Sequence, residues 1–318
     1  MKKILEPIIT ESDIKAVIKC LKETQLSGRS PICGEFEKAF AERVNVKHAI
    51  AVNSGTSALF LSLKVLGIGQ NDEVIVPDFA YIAVANAVSH TGATPIFVDV
   101  EENTFNIDPT LIKITPKTKA IIAVHTYGLP CKIDELKKFG IPVIEDFAEA
   151  LGAIYKKQPV GGLTEIGCCS FFANKIITTG EGGMITTNYD GIADKIRKLK
   201  DQWRGDVPYY HEGIGYGLSL NAMSCALGLS QLKNLDEVLK RKKKIAEEYI
   251  KSGFVPQEES KDCKSSWWLF ASRSGKFKSE VFETRPAFMP FHLQPCYKQT
   301  GPFSNSEKIY NNVTCLPS

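Results

Sequence analysis

A lysine ends an apolar segment, and a glycine-rich turn follows a few residues later. The stretch SFFANKIITTGEGG covers residues 170–183, and Lys175 is its lysine. An amine held in a cleft can form an imine with a carbonyl compound, which makes Lys175 a candidate nucleophile. The chain contains 39 lysines and arginines, so a solvated side chain at a strand end is the simpler alternative. The other motifs decide between the two interpretations.

A group of hydroxyl side chains follows the first apolar strand and opens a predicted helix. The segment NSGTSA covers residues 53–58. The backbone N–H groups at this helix start, together with the hydroxyls of Thr56 and Ser57, can cradle a phosphate. The alternative is an ordinary N-cap formed by a serine or threonine of the same segment. Ser170, five residues before Lys175, can give the phosphate one more hydroxyl.

An acid and an aromatic ring complete the set of candidate residues. Asp146 ends the apolar part of VIEDFAEALGA, where a carboxylate is costly unless it meets a cation or hydrogen-bond donors. It either binds a positively charged group or caps the next turn. Tyr81 follows VPDFA and offers a flat ring for stacking, although a core position explains it almost as well. Pyridoxal phosphate needs an imine-forming lysine, an anion cradle, an acid at its pyridine nitrogen and a stacking surface. The sequence therefore predicts this cofactor.

The elements that must position these residues alternate between strands and helices. The segments HAIAV, EVIVP, TPIFVDV, KAIIAVH and PVIEDF are continuously apolar, and helical patterns separate many of them. Such strands are typical of a parallel sheet covered by helices on both faces, which predicts an α/β doubly wound domain. Ligands of these sheets bind beyond the carboxyl ends of the strands, where the candidate residues fall.

The last third of the chain has a different composition. One long helix is predicted from about Met223 to Gly253, followed by a short tail rich in proline, tryptophan and phenylalanine. We therefore predict a large cofactor-binding domain over residues 1–235, and the connecting long helix with a short small domain over residues 236–318. The N-terminal segment is free to pack on the small domain.

Composition and charge exclude several classes of protein. The net charge of +3 comes without a basic block, so nucleic acid is not an expected partner. No apolar run reaches membrane-spanning length, and we expect no membrane association. The nine cysteines form no CxxC pair or Cys/His ligand spacing, which predicts no metal site. An odd number of cysteines without a secretory signal fits reduced thiols in the cytoplasm.

The order of the motifs resembles a known enzyme family over nearly the whole chain. The motifs are NSGTSAL, PDFAYIAVANAV, GATPIFVDV, VIEDFAEALGA, SFFANKIITTGEGGMITTN, HEGIGYGLSLNAMSCALGLSQL and RPAFMPFHLQPCY. In this order they resemble the DegT/DnrJ/EryC1/StrS family of sugar-nucleotide aminotransferases. The resemblance implies the pyridoxal-phosphate-dependent transferase fold type I (aspartate aminotransferase-like). That fold has a large domain with a mostly parallel central sheet and a small C-terminal α+β domain.

The resemblance also implies roles for individual residues. Lys175 corresponds to the imine-forming lysine and Asp146 to the partner of the pyridine nitrogen. The phosphate-binding positions are Thr56, Ser57 and Ser170, and Tyr81 occupies the ring-stacking position. Glu149 stands where the family commonly has Gln or His near the cofactor's phenolic oxygen. A Glu there is similar to the perosamine-synthase type, which aminates a GDP-linked 4-keto-6-deoxy sugar.

The expected reaction transfers an amino group from L-glutamate to a nucleotide-linked keto-deoxy sugar, with GDP-4-keto-6-deoxymannose as the preferred substrate. His211 and His292 are candidate contacts for the sugar or nucleotide, and a structural role is the alternative for each. Other possible reactions are amination of another UDP- or dTDP-linked 3- or 4-keto sugar and sugar dehydration. Dehydratases on the same scaffold replace the lysine with histidine. A non-catalytic dimeric regulator is the remaining alternative.

The resemblance implies a homodimer in which each subunit completes its partner's site, but this sequence departs from the family there. The family's GYNYRM stretch, which reaches into the partner's site, reads GYGLSL here. Gly217 thus replaces an amide and Ser219 replaces an arginine. The sequence ends at CLPS, where relatives usually continue for a few dozen residues, so the small domain is expected to be short.

Overall fold

The structure, a computed structural model, describes residues 3–318. In chain order the strands are β1 (His48–Val52), β2 (Glu73–Pro77), β3 (Thr94–Val98), β4 (Thr118–Val124), β5 (Val143–Asp146), β6 (Ile154–Tyr155), β7 (Gln158–Pro159), β8 (Ile166–Ser170), β9 (Gly183–Thr187), β10 (Cys263–Lys264), β11 (Phe270–Ser272), β12 (Arg285–Pro286) and β13 (Thr314–Leu316). The α-helices are α1 (Glu11–Lys22), α2 (Pro31–Val44), α3 (Gly55–Val65), α4 (Ala83–His90), α5 (Ile133–Lys137), α6 (Asp190–Lys200), α7 (Ala222–Lys233), α8 (Leu235–Lys251) and α9 (Ser304–Asn312).

The central sheet has seven strands in the order β1-β9-β8-β5-β4-β2-β3. Its pairs from β3 to β8 are parallel, whereas β9 runs antiparallel to both β8 and β1. Because β9 reverses the direction twice, β1 points the same way as β8. The carboxyl ends of β1, β5 and β8 therefore meet at one edge of the sheet. This mostly parallel sheet confirms the predicted fold class.

Apolar side chains lie on both faces of this sheet, which explains the continuous apolar strands. In β4, Ile121 and Ala123 belong to the core on one face, whereas Ala120 and Ile122 belong to the core on the other. Successive residues of a strand point to opposite faces, so a strand covered by helices on both sides must be apolar at every position. The strand segments identified from sequence are all present.

The predicted long helix after Met223 is wrong in one respect, because Asn234 divides it into α7 and α8. Asn234 has φ −99° and ψ 5°, outside the helical range. Helix α7 packs against α1 and α2 and is buried around much of its circumference. Helix α8 is amphipathic and buries a narrower stripe that includes Leu235 and Ala246. Asparagine is a poor residue for a helix interior, because its side chain competes with the backbone for hydrogen bonds, which explains a break at this position.

The C-terminal part forms a three-stranded antiparallel sheet, in the order β11-β13-β12. Tyr249 of α8 covers it, with its ring centroid 5.1 Å from that of Phe270. The N-terminal segment packs on the same part, because the Ile4 N–H donates to Glu283 Oε2 at 3.0 Å. The division of the chain at residue 235 stays a prediction. Between residues 3 and 318, the helices all fall short of the length and apolarity that crossing a membrane requires.

Candidate active site

A cavity of about 400 Å³ lies at the edge of the sheet where β1, β5 and β8 end. Its lining includes most of the residues that the sequence predicted for a cofactor site, namely Thr56, Tyr81, Asp146, Glu149, Ser170 and Lys175. Ser57 is instead engaged within the helix start. Its N–H donates to Ser54 Oγ at 3.0 Å, and its hydroxyl donates to Asn53 Oδ1 at 2.7 Å.

Lys175 is held inside this cavity by a carboxylate and an aromatic ring. Its Nζ lies 3.8 Å from Glu149 Oε1 and 4.1 Å from the centroid of the Trp268 ring. Only 12% of the side chain is exposed, so Lys175 is not a solvated surface lysine. The Trp268 ring is itself fixed, because its Nε1–H donates to the carbonyl of Asn174 at 2.7 Å. The amine is thus presented at a defined place, as a nucleophile requires.

Glu149 is buried beside Lys175 and titrates near neutral pH. Its Oε2 accepts a hydrogen bond from the Tyr127 N–H at 2.8 Å, and Ser266 Oγ donates to its backbone carbonyl at 3.1 Å. Burial raises the pKa of Glu149 to about 7, against the opposing effects of the Lys175 charge and of the Tyr127 hydrogen bond. Both protonation states are therefore accessible at neutral pH, so this side chain can either accept or donate a hydrogen bond.

Asp146 is the last residue of β5 and leaves half of its carboxylate without a protein donor. Its Oδ1 accepts a hydrogen bond from the Ala148 N–H at 3.0 Å, but Oδ2 accepts none from the residues the structure describes. Burial raises the pKa of Asp146 above its usual value, although the nearby Lys175 charge acts in the opposite direction. A buried carboxylate with a free oxygen is suited to a cationic N–H group of a ligand.

The start of α3 provides a site for an anion. Ser54 caps the helix by accepting the Ser57 N–H, whereas the N–H groups of Gly55 and Thr56 have no acceptor among the described residues. A Cβ atom at Gly55 would lie 2.8 Å from Ser170 Cβ, so glycine allows Ser170 to close against the helix start. Free N–H groups and hydroxyls at a helix N-terminus bind phosphate well. The residues of the cavity therefore fit pyridoxal phosphate.

The two histidines predicted as substrate contacts are engaged outside this cavity. His292 Nδ1 lies 2.6 Å from Asp78 Oδ2, and its backbone N–H donates to Asp78 Oδ1 at 3.0 Å. Its ring also stacks on Phe303, with the centroids 4.6 Å apart. His211 lies in an exposed segment, where its Nδ1 is 2.8 Å from the carbonyl oxygen of Gln202. Within one subunit, the geometry thus gives both histidines structural contacts.

Sequence reasoning missed three residues that shape the cavity: Tyr127, Trp268 and Arg285. Tyr127 is buried with φ 55°, and its ring stacks on Phe288 with the centroids 4.8 Å apart. The aromatic doublet in SSWWLF was the available signal for Trp268. Arg285 opens the motif RPAFMPFHLQPCY and Tyr127 follows β4 closely, but neither pattern indicated that the side chain lines the cavity.

Comparison with known proteins agrees with this geometry. Residues 7–318 match the DegT/DnrJ/EryC1/StrS aminotransferase family. The chain is 40% identical to the GDP-perosamine synthase of Escherichia coli O157:H7, over 93% of this chain and 87% of that one. It is 39% identical to the GDP-perosamine synthase of Caulobacter vibrioides, over 92% and 86% of the respective chains.

Solved structures give the same result at the level of the fold. The aminotransferase TlmJ from Streptoalloteichus hindustanus superposes with a TM-score of 0.93 at 28% identity, over 100% of this chain and 93% of that one. The PLP form of a protein from Streptococcus pneumoniae, described as a putative sugar aminotransferase, superposes with a TM-score of 0.91 at 28% identity, over 99% of this chain and 92% of that one. This chain therefore belongs to the DegT/DnrJ/EryC1/StrS family and is a pyridoxal-phosphate-dependent aminotransferase.

Proposed function

We propose that this enzyme transfers the amino group of L-glutamate to the keto carbon of GDP-4-keto-6-deoxymannose and thereby forms GDP-perosamine. The observation that carries the proposal is the meeting of Lys175, Asp146 and the anion site of α3 in one cavity. The choice of sugar is supported by the two relatives named GDP-perosamine synthase. All nine cysteines are free thiols, which supports a cytoplasmic location.

Different residues of the cavity have different roles in the proposed reaction. Pyridoxal phosphate, when bound, takes up the amino group and withdraws electrons from the carbon that carried it. Thr56, Ser170 and the start of α3 would hold its phosphate, and Asp146 would hold its ring nitrogen. Lys175 would attach the cofactor and, once released, accept a proton at Nζ from the donor's Cα and later return one. Glu149 lies within reach of that amine and can donate a hydrogen bond while it is protonated.

Glu149→Gln should change the pH dependence of stability. The pKa of Glu149 is raised in the folded protein, so its stabilising contribution is complete below about pH 4.5 and is lost as the pH rises through about 7. Glutamine stays neutral, so the variant should gain stability over the wild type from pH 4.5 to 7. The gain should level off at about 3 kcal/mol above that pH, because one pKa unit is worth about 1.4 kcal/mol.

Urea unfolding of the cofactor-free protein at pH 5 and pH 8 measures this difference. The exposed Glu42 makes no side-chain contact that the structure records, so Glu42→Gln is the matched control and should behave as the wild type at both pH values. A stability difference between Glu149→Gln and the wild type that is the same at both pH values would contradict the assignment. Because glutamine keeps the acceptor for the Tyr127 N–H, the variant should also retain cofactor.

We also propose that this enzyme is a homodimer, and one exposed segment is a candidate for the contact between its subunits. The segment 205–216 exposes Tyr209 and Ile214, whose exposed fractions are 93% and 88%. Large apolar side chains this exposed on one segment are typical of a protein–protein contact.

Gly217 follows the segment and pairs with Asp201, and a Cβ at Gly217 would lie 3.1 Å from Gln202 Nε2. Asn221, the nearest amide along the chain, is already used as the N-cap of α7.

Absorbance spectroscopy and mass measurement test the proposal together. The purified protein should be yellow, and glutamate should remove the visible band as the cofactor takes up nitrogen. Added GDP-4-keto-6-deoxymannose should restore the band and leave nitrogen on the sugar, as detected by mass spectrometry. Sedimentation equilibrium should give twice the 35.1 kDa of the chain. A dehydratase would consume the sugar without leaving nitrogen on it, and a regulator would show no response to glutamate.

A further inference from the structure

The cavity contains a second cationic side chain, Arg285, which has no role in the proposed steps of the reaction. Among the described residues that line it, the cationic side chains are Lys175 and Arg285, and the acidic ones are Asp146, Glu149 and Glu181. Lys175 is already engaged by Glu149 and by the face of Trp268. A negatively charged substrate that enters this cavity therefore meets more acids than bases, and Arg285 is the cation left to bind it.

Arg285 is well placed for this task because its backbone is fixed and its side chain is accessible. It lies on β12 and pairs with Cys315 of β13, which also lines the cavity. Strand β13 is in turn paired with β11, so Arg285 is built on the small C-terminal sheet. About half of its side chain is exposed, at 51%. A binding group on a strand is held more precisely than one on a free loop.

The guanidinium group is oriented by a neighbouring carboxylate but keeps its terminal amines free. Arg285 Nε donates to Glu283 Oε1 at 3.2 Å. The other oxygen of Glu283 accepts the Ile4 N–H at 3.0 Å, which anchors the carboxylate. Neither Nη atom of Arg285 has an acceptor among residues 3–318. An arginine with a free Nη pair can donate two parallel hydrogen bonds to one oxyanion.

We propose that Arg285 is the oxyanion-binding residue for substrates of this cavity, with its Nη pair as the binding group and Glu283 as the group that orients it. The inference rests on the proposed function, because both proposed substrates bring oxyanions. A nucleotide-linked sugar carries a diphosphate, and glutamate carries carboxylates. A diphosphate and a carboxylate each offer two oxygen atoms that accept hydrogen bonds from one guanidinium group. Separate probes for the diphosphate and for the carboxylate distinguish the two sources.

Isothermal titration calorimetry on the cofactor-loaded protein tests this inference with two unreactive probes. GDP supplies the diphosphate without a keto sugar, and glutarate supplies the carboxylates without an amine. Arg285→Gln should weaken binding of one probe by roughly 10–100-fold, since a charged hydrogen bond is worth about 1.5–3 kcal/mol. Arg285→Lys keeps the positive charge but lacks the paired N–H donors of a guanidinium group. It should therefore recover part of the lost affinity. The probe that loses affinity identifies the oxyanion.

Arg273→Gln is the matched control, because Arg273 is a C-terminal arginine that bonds Asn103 outside the cavity. It should bind both probes as the wild type does. Wild-type affinity of Arg285→Gln for both probes would overturn the inference, and so would equal losses in Arg273→Gln and Arg285→Gln. The proposed function fails separately, if the wild-type protein shows no spectral response to glutamate. An unchanged thermal midpoint of Arg285→Gln would show that a loss of binding is not a loss of folding.

Discussion

Lys175→Ala should abolish turnover while the cavity still binds pyridoxal phosphate without a covalent bond. The variant loses both the amine that attaches the cofactor and the group that carries the proton. Positioned acid–base catalysis alone contributes about 10²–10⁴-fold, so the rate should fall by at least about 100-fold. Asp146 and the start of α3 are untouched, so the phosphate and the ring nitrogen keep their partners. Single-turnover kinetics with glutamate measures the loss.

A covalent readout separates this effect from a loss of cofactor. Treatment of the loaded wild-type protein with borohydride should fix the cofactor on the peptide that contains Lys175, as seen by mass spectrometry. Lys175→Ala should show no fixed cofactor, although equilibrium dialysis should still detect bound cofactor. Lys117 is exposed, and Lys117→Ala should match the wild type in both measurements. Wild-type transamination by Lys175→Ala would remove the basis of the proposed function.

Glu145→Ala should cause the largest loss of stability among the residues near the site. Its carboxylate is completely buried and accepts the N–H groups of Gly161 at 2.6 Å and Leu163 at 3.0 Å. Its Oε1 also lies 3.0 Å from His125 Nε2. The Cys131 N–H donates to His125 Nδ1, so Nε2 carries the ring proton and donates it to Glu145. Alanine would leave these buried donors unsatisfied, at a cost of about 3–5 kcal/mol.

Differential scanning calorimetry should show this cost as a fall of roughly 4–8 °C in the thermal midpoint. The thermal midpoint of Glu145→Gln should fall by less, because the amide keeps one acceptor oxygen. It should still fall, because the amide NH₂ group faces N–H donors. Glu42→Ala, on the exposed side of α2, should leave the midpoint almost unchanged. If Glu145→Ala and Glu42→Ala unfold at the same temperature, Glu145 does not hold the segment 161–163 in place.

The parts of the site that could be predicted from sequence are those that follow strands of the parallel sheet. Asp146 and Ser170 end β5 and β8, and Thr56 opens the helix after β1. Strand direction alone brings such residues to one edge, because the fold allows few other arrangements. For the same reason the sheet itself was predictable. The apolar composition of each strand segment predicts that the strand is buried, and this prediction needs no knowledge of distant residues.

The residues that could not be predicted depend on packing between distant segments. Trp268 reaches Lys175 only because the C-terminal part folds back over the sheet, and 93 residues separate the two (268 − 175). Arg285 enters the cavity for the same reason. No local pattern distinguishes Trp268 from a core tryptophan, and the motif that contains Arg285 does not show that its side chain lines the cavity. His292 is the opposite case. Its motif is apparent in the sequence, but its ring contacts Asp78 and does not line the cavity.

The pairing of β1 with β9 sets the order in which the enzyme can be completed during synthesis. Strand β1 is at the end of the sheet, and among residues 3–318 its only strand neighbour is β9. Val52 pairs with Gly183, which lies 131 residues later in the chain (183 − 52). At about 5–20 residues per second, a ribosome needs roughly 7–26 s to make that segment. The helix start that follows β1, although translated early, is therefore among the last parts of the cofactor site to be fixed on a nascent chain.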